Sequence, residues 1–221
     1  MIPVLTIDGP SGVGKGTVAN IIAHELKWNL LDSGAIYRAF AIAALKRNIQ
    51  IDNTDELLKL ASNLDLRFES DPSNNKLSVY LDNSEVSAEL RTEKTAELAS
   101  KLAMIGPLRA SLLLRQQKFK QPPGLVADGR DMGTVVFEDA PFKVFLTANV
   151  EERAQRRLKQ LQDKGIAGIL SQTLEEVQKR DERDASRKHS PLKPSKDALV
   201  IDTSNLTINE VVAKVMALVK T

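Results

Sequence analysis

A glycine-rich segment with one lysine lies near the start of this chain, in the sequence GPSGVGKGT. Its spacing fits the pattern Gly-x-x-x-x-Gly-Lys. Glycines so placed let backbone N–H groups turn toward a chain of phosphates, and the lysine supplies positive charge for the β- and γ-phosphates. We therefore predict a nucleoside triphosphate site; a glycine-rich turn without a ligand is the alternative. The residues of the predicted site are Gly9, Pro10, Ser11, Gly12, Val13, Gly14, Lys15, Gly16 and Thr17.

The position after the lysine departs from the general pattern, which places Ser or Thr there as a ligand of Mg²⁺. Gly16 occupies this position and Thr17 follows. The order Lys-Gly-Thr is typical of nucleoside monophosphate kinases. It favours a kinase that uses Mg²⁺ and leaves the protein ligands of the metal unassigned. No Asn-Lys-x-Asp guanine-reading motif follows a late strand, which argues against a switch GTPase.

The segment LDSGAIYR places four polar side chains where a strand pattern gives way to a helical one. These are Asp32, Ser33, Tyr37 and Arg38. Helix capping explains Asp32 and Ser33 as well as a ligand role does. Arg38 favours a ligand role, because the rest of its helical pattern is rich in Ala, Ile and Phe.

The segment ADGRDMGTVVF follows another strand pattern and clusters Asp128, Arg130 and Asp131 between glycines. A guanidinium can hold a phosphate through two parallel hydrogen bonds, and a carboxylate can accept from an amino group. A solvated turn is the alternative. We favour a ligand site because Arg38 and Arg130 both follow strands of the same predicted sheet.

Two later segments carry arginines at helical spacing, which places each set on one helix face. The sets are Arg153, Arg156 and Arg157, and Arg180, Arg183, Asp184 and Arg187. A solvated face with salt bridges is the usual explanation, and several acidic residues could serve as partners. These are Glu151, Glu152, Asp181 and Glu182. The consistent choice of Arg over Lys favours phosphate binding, because planar guanidinium groups match phosphate oxygens.

Five short apolar segments, mostly alternating with helical patterns, position these residues. They indicate an α/β protein with a three-layer fold and a five-stranded parallel sheet wrapped on both faces. The strand segments are residues 3–8, 30–31, 124–129, 142–149 and 198–204. The helical segments that follow them include residues 17–27, 35–48, 150–165 and 206–220.

The alternation breaks between about residues 52 and 120. Helical patterns over 54–64 and 92–105 enclose two strand patterns, 64–70 and 76–82, joined by the turn-rich DPSNN. This arrangement predicts an antiparallel hairpin carried by an insertion. We predict a single domain, with its core over about 1–51, 104–149 and 171–221, an insertion over about 52–103 and a mobile lid over about 150–170.

Composition narrows the choice of ligands and partners. The net charge is +2 and aromatic residues make up 4%, a combination that argues against a module binding single-stranded nucleic acid. There is no cysteine and there are two distant histidines, so any metal should be bound through oxygen. No apolar run approaches the length of a membrane span, and the chain enters its first strand at once. We therefore expect a cytoplasmic protein without a membrane, nucleic-acid or protein partner.

The chain resembles the bacterial cytidylate kinases over about residues 2–202. The resemblance rests on the glycine loop, LDSGAIYR, DGRDMGTVVF and RDERDASR, while Glu138 replaces a proline found in many relatives. It implies that Arg38, Arg130 and Arg187 hold the phosphate of CMP. It implies that Ser100, Arg109 and Asp131 read cytosine. It implies that Tyr37, Arg180 and Asp184 meet the sugar hydroxyls.

The resemblance also implies a P-loop kinase fold and an activity in pyrimidine nucleotide metabolism. The γ-phosphoryl group of ATP would pass to CMP or dCMP, with Mg²⁺ bridging the ATP phosphates. Lys15 would hold the donor, and four arginines would surround the transferred group when the lid closes. These are Arg153, Arg157, Arg183 and Arg187. The nearest alternative is a kinase of the same architecture for UMP, AMP or a small metabolite such as shikimate. A different class is a nucleotide-binding regulatory or nucleic-acid-binding module.

Overall fold

The computed structural model describes residues 2–71, 76–163, 165–188 and 190–220. The strands are β1 (Val4–Asp8), β2 (Asn29–Asp32), β3 (Leu66–Asp71), β4 (Lys76–Leu81), β5 (Ser84–Glu85), β6 (Leu125–Asp128), β7 (Phe142–Thr147) and β8 (Leu199–Asp202). The α-helices are α1 (Lys15–Leu26), α2 (Ser33–Lys46), α3 (Thr54–Ser62), α4 (Glu93–Leu102), α5 (Gly106–Gln117), α6 (Val150–Gln162), α7 (Leu170–Ala185) and α8 (Ile208–Val219).

A five-stranded sheet with the order β2-β6-β1-β7-β8 forms the centre of the fold. The pairings β1 with β6, β1 with β7 and β7 with β8 are parallel. All five residues of β1 are buried, as expected for the central strand of a parallel sheet. The five strands that the sequence predicts are confirmed, and so is the α/β fold class.

Helices α1 and α8 pack on this sheet through apolar residues at helical spacing. Val18 and Ile22 of α1 and Val211 and Val215 of α8 lie in one buried cluster with Leu5. This packing fixes α1, and with it the loop between β1 and α1. The segment GPSGVGKGT therefore runs from the end of the central strand into the first turn of a firmly packed helix.

The chain divides into two compact units. One comprises residues 1–31 and 120–221, and the other residues 32–119. The second unit is wider than the predicted insertion of 52–103 because α2 packs against α4 and α3 packs against α5. Helix α5, which the sequence analysis did not foresee, starts with a proline in its first turn.

The second unit carries a three-stranded antiparallel sheet with the order β3-β4-β5. The predicted hairpin is confirmed, with Arg67 opposite Tyr80, and β5 adds a strand that was not predicted. The turn within the DPSNN segment lies outside the described residues for positions 72–75.

Helix α7 ends at Ala185, so one prediction about the arginine helices is wrong. Arg187 was expected on the same helix face as Arg180, Arg183 and Asp184, but it lies two residues beyond the helix. The predicted helical segment between 150 and 165 is confirmed by α6. Of the described helices, none combines the length and apolar character that a bilayer crossing requires.

Gly9 fixes the way the chain leaves β1. Its φ of +147° is a conformation that side chains rarely allow, and a Cβ there would lie 2.1 Å from the carbonyl oxygen of Leu146. The loop therefore starts in direct contact with the backbone of β7.

We expect Gly9→Ala to lower the free energy of unfolding by about 3 kcal/mol, because the new methyl group overlaps a backbone carbonyl that is held in the sheet. Gly165→Ala is the matched control. Gly165 also has a positive φ, of +72°, but apart from its own chain neighbours no described residue has an atom within 4 Å of its Cβ position. It should cost only the backbone term of about 1 kcal/mol. Urea unfolding of both variants makes the comparison, and equal losses would contradict the close contact.

Candidate active site

The glycine loop has the backbone geometry of an anion cradle. Gly12 and Gly14 adopt left-handed conformations, with φ of +85° and +91°, and Gly14 directly precedes α1. The first N–H groups of an α-helix have no partner within the helix, and the helix dipole places positive charge at this end. The start of α1, at Lys15, Gly16 and Thr17, therefore presents N–H groups suited to phosphate oxygens.

Lys15 is buried, with 6% of its surface exposed, and its Nζ donates to the carbonyl oxygen of Pro10 over 2.7 Å. Burial, together with the positive charge of Arg130, lowers the pKa of Lys15 to about 7. Asp128 acts in the opposite direction. The lysine is thus held inside the loop in surroundings that favour its neutral form until an anion arrives.

Arg153 braces the loop from α6. Its guanidinium donates to the carbonyl oxygens of Ser11 over 3.2 Å and Ala148 over 3.1 Å. It also makes a bidentate ion pair with Asp181 of α7, over 3.0 and 2.5 Å. Of the two interpretations of the arginine helices, pairing with an acidic residue is the one observed at this position.

The neighbouring arginines of α6 differ in their partners. Arg156 donates to the carbonyl oxygen of Thr203 over 2.6 Å, and the hydroxyl of Thr203 donates to the carbonyl oxygen of Val13 in the glycine loop over 3.3 Å. Arg157 reaches Oε1 of Gln160 on its own helix over 3.4 Å. Arg153 and Arg156 therefore support the loop, one directly and one through Thr203.

A buried carboxylate orients two of the predicted phosphate-binding arginines. Asp184 is 1% exposed and accepts from Nε of Arg130 over 2.8 Å and from the guanidinium of Arg187. Burial raises the pKa of Asp184, but Arg130 and Arg187 outweigh burial and hold the pKa below its usual range. The ionised Asp184 also raises the pKa of Arg130 against the effect of burial.

Positive charge is concentrated around this carboxylate and the loop lysine. Arg180 lowers the pKa of both Lys15 and Asp184, so its charge acts on both groups. Repulsion among Lys15, Arg130 and Arg180 is relieved when an anion binds between them. The cluster therefore has the charge that a polyphosphate requires.

Two carboxylates of the DGRDMG segment lie at the end of β6. Asp131 is 4% exposed and directly precedes a short π-helical turn, Met132–Val136. Oδ2 of Asp128 lies 3.4 Å from the position a Cβ would take on Gly16 at the start of α1. Within the described ranges, no three acidic or histidine side chains form a metal-binding group.

The second compact unit carries the other predicted substrate-binding residues, and Arg183 lies in the first unit, on α7. Tyr37 is buried, and the guanidinium of Arg109 lies 5.7 Å from its ring centroid, while Nη1 of Arg109 donates to the carbonyl oxygen of Ala103. Arg38 is half-buried on α2. Asp32 caps α2 by accepting from the N–H of Ala35 over 2.9 Å, so the capping interpretation of Asp32 is confirmed.

Two buried serines of this unit differ in their hydrogen bonding. The hydroxyl of Ser33 donates to Oε1 of Gln116 over 2.7 Å, and Nε2 of Gln116 donates to the carbonyl oxygen of Leu112. The hydroxyl of Ser100 is buried and has no hydrogen-bond partner among the described residues. A buried hydroxyl without a partner costs free energy, so Ser100 is suited to bonding an added molecule.

Three residues that support this arrangement were not predicted from the sequence. Asp8, Gln116 and Thr203 hold other site residues through hydrogen bonds that join distant parts of the chain. Their residue types are ordinary at these positions of the sequence. The only available signal was the polar Asp8 at the end of an otherwise apolar strand.

A central parallel strand, a glycine loop and a buried lysine at the start of a helix define a P-loop nucleotide-binding protein. Residues 5–221 match the family model described as cytidylate kinase. The chain belongs to the cytidylate kinase family.

Similar proteins cover nearly the whole chain. The cytidylate kinases of Aeromonas salmonicida and Pectobacterium atrosepticum are each 52% identical to it over 217 residues, 98% of this chain and 94% and 96% of theirs. The cytidylate kinase of Shewanella denitrificans is 50% identical over 218 residues, 99% of this chain and 96% of its own.

The lowered pKa of Lys15 predicts that nucleotide binding takes up a proton. At pH 8 a lysine with a pKa of about 7 is mostly neutral, and phosphate charge favours its protonated form. We expect uptake approaching one proton per ATP at pH 8, measured by calorimetry in buffers of different ionisation enthalpy. Lys15→Arg is the control, because arginine stays charged and its uptake should be small. Equal uptake by the two proteins would contradict the assignment to Lys15.

Proposed function

We propose that this protein transfers the γ-phosphoryl group of ATP to the phosphate of CMP or dCMP, giving ADP and CDP or dCDP. The observation that carries the proposal is a set of basic side chains beside the glycine loop: Arg130 and Arg180, whose charges act on both the buried Lys15 and the buried Asp184. Two phosphate-bearing substrates must approach closely in this reaction, and such a group reduces their repulsion. The names of the similar proteins support CMP as the acceptor.

The donor phosphates would be held by the glycine loop, residues 9–17, and by Lys15. When an ATP phosphate binds, Nζ of Lys15 would replace its hydrogen bond to the carbonyl oxygen of Pro10 with one to a charged phosphate oxygen. Phosphoryl transfer needs positioning and positive charge more than covalent chemistry. Lys15 would supply that charge at the β- and γ-phosphates.

The acceptor phosphate would be bound by Arg38, Arg130 and Arg187. What supports Arg130 and Arg187 is their common attachment to the ionised Asp184, which limits how each guanidinium can rotate. Restrained guanidinium groups lose little entropy when they bind a phosphate. Asp184 and Arg180, with Tyr37, would also meet the sugar hydroxyls.

Cytosine would be read by Ser100, Arg109 and Asp131. The exocyclic amine of cytosine is a donor that uracil lacks, and the carboxylate of Asp131 can accept from it. The buried hydroxyl of Ser100 supports its part in this reading. Arg109, lying over the Tyr37 ring, would be positioned by that ring.

Ser33 would accept a hydrogen bond from the substrate rather than donate one to a phosphate oxygen. Its hydroxyl hydrogen is used on Gln116, so the remaining lone pairs of Ser33 can only accept. A sugar hydroxyl of the acceptor nucleotide has the matching polarity.

A lid over residues 150–170 would bring Arg157 to the transferred group and exclude water. Arg153, Arg183 and Arg187 would complete the positive surroundings. Arg153 would have to give up bonds to Ser11 and Asp181 to reach the phosphates, so we expect it to contribute mainly through the loop.

Mg²⁺, when bound with ATP, would supply positive charge that offsets the charge of the phosphates. It usually takes one or two protein oxygens and fills its other positions with phosphate oxygens and water. Asp128, whose carboxylate lies beside the start of α1, and the hydroxyl of Thr17 are the oxygens that fit this requirement. We further propose a cytoplasmic enzyme whose partners are its small-molecule substrates, without nucleic acid, membrane or protein partners.

An ADP-release assay with ATP, Mg²⁺ and each of CMP, dCMP, UMP, AMP and GMP tests the proposal. We expect strong turnover with CMP and dCMP and weak turnover with UMP. Lys15→Met should lower kcat roughly a hundredfold or more with the fold intact, because the charge on the phosphates is lost. ADP release at one slow rate with every acceptor would contradict the acceptor assignment and favour a nucleotide-binding module.

The two buried serines allow a matched comparison of binding and stability. Ser100→Ala should raise the free energy of unfolding by about 1 kcal/mol, because it removes a buried hydroxyl that has no partner, yet it should also raise KM for CMP. Ser33→Ala should cost about 2 kcal/mol of stability, because Oε1 of Gln116 is left unsatisfied. Chemical unfolding and CMP kinetics of both variants make the test. An unchanged KM for CMP in Ser100→Ala would remove Ser100 from the base site.

A further inference from the structure

Asp8 is a buried acidic residue that the reaction described above does not use. It is the last residue of β1, immediately before Gly9, and 5% of its surface is exposed. Burial raises its pKa to about 7, although two backbone hydrogen bonds act in the opposite direction. Burying a charged carboxylate costs free energy unless hydrogen bonds compensate for the lost water, so the hydrogen-bond partners of Asp8 matter.

Those hydrogen bonds come from the segment that contains Asp131. The N–H of Met132 donates to Oδ1 of Asp8 over 2.9 Å, and the N–H of Gly133 donates to Oδ2 over 2.8 Å. Met132 and Gly133 are the first two residues of the π-helical turn. The first N–H groups of any helical turn need outside acceptors, and Asp8 supplies both here.

Asp131 itself makes no capping bond to this turn through its side chain. In most helices the residue before the first turn provides that bond. Here Asp8, at the end of β1, accepts the hydrogen bonds from the first N–H groups of the turn instead.

The turn is also packed directly on β1. The N–H of Gly129 donates to the carbonyl oxygen of Ile7 over 3.1 Å. A Cβ on Gly133 would lie 2.8 Å from Oγ1 of Thr6. The residues on both sides of Asp131 are therefore attached to the end of the strand that leads into the glycine loop.

The loop lysine is a less direct partner of Asp8. Nζ of Lys15 donates to the carbonyl oxygen of Pro10, and the charge of Asp8 affects the pKa of Lys15 less than those of Arg130, Asp128 and Arg180. The hydrogen bonds of Asp8 thus lead to the DGRDMG segment and not to the donor lysine.

We propose that Asp8 is a positioning residue for base selection: its buried carboxylate caps the turn Met132–Val136 and thereby fixes Asp131, the residue that precedes it. The inference rests on the proposed function, in which Asp131 reads cytosine. It assigns to the last residue of β1 a role in acceptor choice, although the donor loop begins one residue later.

The test is a double-mutant cycle of Asp8→Asn and Asp131→Asn, scored by the ratio of kcat/KM for CMP to kcat/KM for UMP. Asparagine keeps the size of Asp8 but places an amide donor against one of the two N–H groups. We expect Asp8→Asn to lower the ratio at least about tenfold. KM for ATP should stay near its original value, whereas damage to the donor loop would raise it.

The double variant tests whether Asp8 acts through Asp131. Residues that act through one another are not additive, so Asp8→Asn should lower the ratio little further when Asp131→Asn is already present. A full additional loss would overturn the proposal. So would an unchanged ratio in Asp8→Asn while Asp131→Asn erodes it. If Asp131→Asn itself leaves the ratio unchanged, Asp131 does not read the base. That outcome contradicts the proposed function, whereas the two outcomes above contradict the role of Asp8.

Hydrogen exchange on the unaltered protein gives a second measurement in case Asp8→Asn does not fold. CMP should increase the protection of the Met132 and Gly133 amides more than UMP does, because fixing Asp131 stabilises the turn it precedes. Equal protection with the two nucleotides would overturn the proposal without any variant.

Discussion

Repulsion among buried positive charges is the constraint on which the site depends. Burial disfavours a positive charge on Lys15, and the charges of Arg130 and Arg180 disfavour it further. Carboxylates make this arrangement possible, with Asp184 pairing Arg130 and Arg187, and Asp128 and Asp8 acting on Lys15. The free protein is therefore arranged for anions that are not part of it, which is electrostatic preorganisation.

The supporting bonds follow from the parallel sheet. Strands β1, β6, β7 and β8 end in the loops that carry the site, so a residue at one strand end can hold the loop of another. Asp8 holds the segment after β6, and Thr203, after β8, holds Val13. Arg153, at the start of the helix after β7, holds Ser11.

Strand and helix patterns predicted most of the fold, because buried strands and amphipathic helices leave periodic signals in the sequence. They missed α5 and β5 and placed Arg187 on a helix that ends before it. Residues with distinctive chemistry, such as Lys15 and Arg130, could be predicted as site residues from their segments. Asp8 and Gln116 could not, because hydrogen bonds between distant segments leave no local pattern. For the same reason the sequence offered Asp181 as a possible partner of the arginines but not its pairing with Arg153 in particular.

The unpartnered hydroxyl of Ser100 has a consequence for engineering. Laboratory evolution that scores only the heat resistance of the nucleotide-free protein sees no benefit in this serine, and alanine or a larger apolar residue would pass such a selection. With Ser100 in its proposed role at the base, variants selected in this way would lose discrimination between acceptors while remaining folded. Selection in the presence of the acceptor nucleotide would retain the serine, because the ligand then contributes to the stability being scored.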